Sequence, residues 1–111
     1  MQTNQYLTEA AQHYQDKNYG DAITVASRGL ERMQQDFHLL HLRANCLTAL
    51  KEYKSALVDL KLLIRSYPSE PRAYLKAVKC YRNLKQANNA LKILEYGRSR
   101  VDKNDIKYHV P

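Results

Sequence analysis

Three alanines, Ala22, Ala56 and Ala90, stand 34 residues apart, and each sits in the same short phrase. The phrases are Tyr19-Gly20-Asp21-Ala22-Ile23, Tyr53-Lys54-Ser55-Ala56-Leu57 and Ala87-Asn88-Asn89-Ala90-Leu91. No insertion or deletion breaks the register. A fixed period of this size means one supersecondary unit written several times, each too small to bury its apolar face alone.

Within a unit the apolar spacing is helical. In the second, Leu39, Leu40, Leu42, Ala44, Leu47 and Leu50 recur at threes and fours, and Tyr53, Ala56, Leu57, Leu60, Leu63 and Ile64 do the same. That is the 3.6-residue period of an amphipathic helix. Lys51-Glu52 between them leaves room for a tight antiparallel turn and nothing more. Pro68 and Pro71 end the second helix and start the next. The third unit repeats the pattern with Tyr74, Leu75, Ala77, Val78, Tyr81 and Leu84, then Ala87, Ala90, Leu91 and Leu94. The first is weaker, as a terminal repeat with one solvated face should be.

Composition agrees. With 3 Gly and 3 Pro in 111 residues, the chain lacks the turn residues that a sandwich or barrel needs. No apolar run approaches the roughly 20 residues that cross a bilayer. The opening MQTNQYLTEA has no basic region followed by an apolar stretch, and 2 Cys make no disulfide framework. These features lead to the expectation of an intracellular protein, nuclear or cytoplasmic.

Two helices in 34 residues resemble the tetratricopeptide repeat (TPR), over about residues 3–101. That family places a small residue mid-way in its first helix, as Ala10, Ala44 and Val78 stand here. It places a tyrosine before the second helix, matched by Tyr19 and Tyr53 but not by Ala87, and a small residue early in it, matched by all three alanines. Pro68 is the one closing proline, and His13 stands where an aromatic or large apolar residue is usual. The resemblance implies an all-α, right-handed superhelix of three helix–turn–helix repeats, about 3–36, 37–70 and 71–101. Residues 102–111 then read as the start of a truncated capping helix or a tail. It also implies a concave wall lined by the first helix of each repeat, where the family holds peptides.

Charge is uneven along the chain. Residues 72–111 carry ten Lys/Arg against three Asp/Glu, while residues 1–37 carry three against five. Arg72, Lys76, Lys79 and Arg82 follow at spacings of 4, 3 and 3, so they share one side of a helix, and no Asp or Glu lies between 72 and 84. In the TPR frame Arg72, Lys76 and Lys79 face the groove, with Asn45 and Tyr14 beside them. The expected partner is a protein or peptide segment of acidic character. The plainer alternative is a solvated basic face.

The TPR co-chaperones that grip the C-terminal carboxylate of heat-shock chaperones use Lys, Asn and Arg from three helices. Arg72 and Lys76 match the third helix's share, but Leu7, Ala11 and Leu42 stand where the rest should be. The missing set argues against that ligand. Basic residues interleaved with nine tyrosines would suit single-stranded nucleic acid, though the stripe is short and the first third acidic. RNA or DNA binding is the alternative in another class, and a structural, self-associating scaffold the alternative among proteins.

Chemistry is not indicated. Cys46 and Cys80 are one repeat apart and read as small buried residues. His38 and His41 are three apart, but no Cys or carboxylate joins them at ligand spacing. No phosphate loop, nucleophile elbow or paired carboxylate in an apolar setting is present. The chain reads as a non-enzyme without metal or cofactor.

At the end, Ile93, Leu94, Tyr96 and Val101 are expected to be partly uncovered, which reads as an N-terminal fragment able to pair with another copy. Four phrases, His41-Leu42-Arg43-Ala44, Ala56-Leu57-Val58-Asp59, Pro71-Arg72-Ala73-Tyr74-Leu75-Lys76 and Ile93-Leu94-Glu95-Tyr96-Gly97, are similar to the N-terminal TPR region of fungal F-box proteins. That likeness implies a substrate adaptor of a cullin-based ubiquitin ligase, tethered in some members to replication-fork proteins in the nucleus.

Overall fold

The computed structural model describes the backbone of residues 2–109 and the side chains of residues 5–101. Every regular element among the described residues is an α-helix: α1 (Gln2–Gln15), α2 (Tyr19–Arg32), α3 (Phe37–Ala49), α4 (Tyr53–Ser66), α5 (Pro71–Asn83) and α6 (Ala87–His109). Second helices start at 19, 53 and 87, and α3 and α5 start at 37 and 71, so the 34-residue period is structural as well. Each helix packs on the next in the chain, and α1 also touches α3. The result is three stacked antiparallel hairpins.

The turn inside each hairpin is the same turn three times. Asn18, Glu52 and Gln86 donate their backbone N–H to the carbonyls of His13, Leu47 and Tyr81, each at 2.8 Å. The residue before each donor is left-handed: Lys17 at φ 63°, Lys51 at 63° and Lys85 at 62°. This is the paired-bond helix stop that glycine usually occupies. Between hairpins the stops differ. Asp36 caps α3 by accepting the Leu39 N–H at 2.9 Å, whereas Pro71 opens α5 from its first turn.

The alanines do what their spacing implies. Ala22 and Ala56 are sealed from solvent and Ala90 is nearly so, which lets the two helices of a hairpin approach closely. Ala10, Ala44, Cys46 and Cys80 are buried with them. Val101 is also buried, not partly uncovered as its place near the chain end suggested, because it packs into the core cluster with Tyr74. Leu94 and Tyr96 are exposed. Residues 102–109, set apart in the sequence as a capping segment or tail, continue α6 as one helix. Tyr108 lies outside the described side chains.

Candidate functional site

Helices α1, α3 and α5 line a shared hollow of about 390 Å³. Its wall includes Tyr14 from α1, Asn45 and Thr48 from α3, Tyr53 at the start of α4, and Lys76, Lys79 and Asn83 from α5. Four of the six residues proposed from sequence therefore meet: Tyr14, Asn45, Lys76 and Lys79. Tyr14 is steadied by an edge-on contact with Tyr19, with ring centroids 5.7 Å apart. Thr48 turns its hydroxyl back to the Asn45 carbonyl at 2.8 Å, and the Asn83 amide donates to the Lys79 carbonyl at 2.8 Å.

The two lysines make no ion pair among the described residues. Lys76 is half-buried, and its ammonium is held below the ordinary lysine range, first by that burial and then by the charges of Lys79 and Arg72. A desolvated cation next to two others gains most from an incoming anion.

Arg72 and Arg82 do not line the hollow. Arg72 pairs with Glu70, and its guanidinium lies over the Phe37 ring, 5.3 Å from the centroid. No acid lies within 72–84, and the relief comes from Glu70, just ahead of the helix. Arg82 is exposed. Three steps of 3 or 4 residues carry it about 80° round the helix from Arg72, away from the Lys76–Lys79 edge.

His41 is buried. Its Nε2 has no hydrogen-bond partner. Burial, then Lys76 and Arg72, lower its pKa to about 4. Cys80, read as a small buried residue, and Tyr53, the tyrosine that precedes the second helix, also reach the wall. Tyr53 lies at the mouth of the hairpin turn, a position that periodicity alone does not separate from the core. Burial pushes the Cys80 thiol up, and that of Cys46 to about 11, which keeps both as thiols. Among the described residues no three His, Cys, Asp or Glu converge to hold a metal ion. No described helix is long and apolar enough to cross a membrane.

The sequence model of a family described as ChAPs (Chs5p-Arf1p-binding proteins) matches residues 10–99. No curated protein matches the chain significantly in sequence. Among solved structures, the TPR2B domain of yeast Sti1, in a complex with pHsp70, is 20% identical with a TM-score of 0.84, covering 96% of this chain and 86% of that one. The Yersinia enterocolitica type III secretion translocator chaperone SycD is 20% identical with a TM-score of 0.81, covering 96% and 81%. MamA from RS-1, as its ArsTM double mutant, is 22% identical with a TM-score of 0.80, covering 96% and 60%. The chain spans about half the length of another MamA, the D159K mutant 2, at 53%. These likenesses show the fold: a TPR-like helical repeat.

Proposed function

The chain belongs to the ChAPs family, the Chs5p-Arf1p-binding proteins, and on that premise we propose that it is a non-catalytic protein-interaction module whose concave hollow receives an acidic segment of a partner protein. The observation that carries this reading is the pair Lys76 and Lys79. They line one hollow with Tyr14, Asn45 and Asn83, and no carboxylate answers them among the described residues. A carboxylate placed there meets two ammonium groups, with amide and phenol donors within the same hollow. Such charge-assisted bonds are stronger than neutral ones, and the half-buried Lys76 regains the charge stabilisation it lost on burial. Arg72, tied to Glu70 and Phe37, steers from the edge instead of gripping. A family named for the proteins its members bind has a use for such a part. Tethering to an F-box ubiquitin ligase rests on the four sequence phrases alone.

The test is fluorescence anisotropy with a labelled peptide in which several glutamates follow an apolar stretch, beside its glutamine counterpart. The acidic peptide binds at least about tenfold more tightly at low salt, and Lys76→Glu with Lys79→Glu abolishes the difference. Equal affinity for the two peptides overturns the reading. Preferential binding of a labelled single-stranded oligonucleotide, falling steeply with salt, would move the function to nucleic acid.

A further inference from the structure

In this stack α3 packs on both α2 and α4, and α5 on both α4 and α6, so the second helices stand side by side across a first helix. The space between α2 and α4 is plugged from below. Arg43 of α3 reaches Ser27 on α2 at 3.0 Å and the Asp59 carboxylate on α4 at 2.7 and 2.8 Å. One repeat later, between α4 and α6, every residue of that plug is replaced: Ala77 stands for Arg43, Lys61 for Ser27 and Ile93 for Asp59. Alanine ends at its Cβ and cannot cross the gap. What remains is an open groove of about 460 Å³.

The groove differs from its predecessor in charge as well as in depth. Ile64, Tyr81 and Ile93 form its apolar floor, the first two buried and the third half-buried. Its rims carry Lys61 and Arg65 on the α4 side and Lys92 on the α6 side, all exposed, and no carboxylate lines it. None of the three cations makes an ion pair among the described residues. The preceding gap has Ser27, Glu31 and Val58 at those places. Like charges on both rims of a hydrocarbon floor repel one another until an anionic occupant answers them.

Occupants of other chemistry fit worse. A nucleic-acid base needs a free aromatic face to stack on. Here the Lys61 ammonium lies over the Tyr81 ring, 5.9 Å from the centroid, and the Arg100 guanidinium covers Tyr96 at 3.9 Å. A flat anionic bilayer meets the rims but leaves the recessed floor empty.

We propose that the α4–α6 groove binds a short segment of a partner protein in which an apolar side chain is flanked by carboxylates. The apolar side chain fills the floor that Ala77 leaves open, and the carboxylates meet Lys61 and Arg65 on one rim and Lys92 on the other. The groove shares no lining residue with the concave hollow, so the chain holds two acidic segments on opposite sides.

The test is made in the whole chain carrying Lys76→Gln and Lys79→Gln, so that the concave hollow does not compete. The probe is a labelled peptide with a pair of leucines between pairs of glutamates, followed by anisotropy and by amide NMR shifts. The expected result is saturable binding at about 100 μM or tighter, with shifts at Ile64, Lys92 and Ile93. The glutamine counterpart binds about tenfold more weakly, and Lys61→Gln with Lys92→Gln weakens the acidic peptide by a similar factor. Ala77→Arg with Ile93→Asp rebuilds the plug at unchanged net charge and also costs at least about tenfold, with helical circular dichroism retained. Both lysines are exposed, so that pair decides the matter even where the plug disturbs the core. The proposal is overturned by no saturable binding below about 1 mM, by equal affinity for the glutamine peptide, or by indifference to the lysine pair. It is equally overturned by shifts confined to the concave hollow, or by an oligonucleotide, an anionic vesicle or a second copy of the chain that takes the groove more tightly than the peptide.

Discussion

Arg43 holds the carboxylate of Asp59 with a two-pronged fork, Nε donating to Oδ2 at 2.8 Å and Nη2 to Oδ1 at 2.7 Å, with the carboxylate almost sealed from water. The remaining arm of the guanidinium reaches Ser27 at 3.0 Å, so one side chain on α3 ties down both α2 and α4. The Asp59 hydrogen bonds raise the Arg43 pKa against the opposing effect of burial.

Breaking that fork by Arg43→Ala leaves a buried carboxylate unpaired, and the expected loss is about 3–5 kcal/mol. The third repeat carries Ala77 and Ile93 at the equivalent places, an apolar solution to the same packing problem. Arg43→Ala combined with Asp59→Ile should therefore recover most of the loss. Urea unfolding followed by circular dichroism measures both. A double variant as unstable as the single one would show that the fork is worth more than its replacement.

The fork was not legible in the sequence, though a signal for it exists. Asp59 aligns with Val25 and Ile93, so a carboxylate sits in the one repeat of three that breaks an apolar pattern. What the period did reveal were positions whose role is set by packing within a hairpin: the three alanines, the two buried cysteines, and the turns. Periodicity reports which face of a helix is apolar. It does not report which polar groups from different repeats meet. For that reason spacing sets Lys76 and Lys79 on one helix face, and the repeat frame sets Asn45 and Tyr14 beside them, while the links from Arg72 to Glu70 and Phe37 leave no trace in either.

His41 follows the same logic. Its repeat equivalents are Leu7 and Leu75, and its Nε2 is buried without a partner. Its folded pKa of about 4 lies below the ordinary 6.5, so between those values the unfolded chain takes up a proton that the folded chain refuses. Stability then falls as pH drops through that window and is insensitive to this group above it. The loss attributable to His41 is about 2–3 kcal/mol by the lower end. His41→Leu should flatten the dependence between pH 6.5 and 5 and raise stability at pH 5. Thermal melts across that range provide the readout; a variant with the wild-type slope would remove His41 as the cause.

Lys17, Lys51 and Lys85 share a left-handed backbone that a side chain with a Cβ adopts at a cost. All three are exposed, so their side chains bring no core packing to offset it. Glycine relieves the clash but loses more entropy on folding, and at this helix-stop position the relief is larger. Each Lys→Gly change is expected to add about 0.5–1 kcal/mol. The sites are one repeat apart and share no partner, so the triple variant should approach the sum. Chemical denaturation of the single and triple variants checks both parts of this expectation.

Gly97 is needed for the reverse reason. It lies in a helix, where glycine has no conformational purpose, but a Cβ built on it would come within 2.7 Å of the Tyr74 ring. Gly29, two repeats earlier, meets Leu39 and Tyr6 in the same way. Tyr74 cannot swing aside freely, because its hydroxyl donates to the Pro68 carbonyl at 2.6 Å and so spans the joint between α4 and α5. Gly97→Ala should thus cost about 1–3 kcal/mol despite the better helix propensity of alanine. In a Tyr74→Ala background, which removes the Cγ and Cδ1 that the methyl would meet, the same Gly97→Ala change should cost little further. Melting temperatures of the two variants decide the matter: if Gly97→Ala melts at or above the wild type, the close approach of α6 to Tyr74 is not what holds glycine at this position.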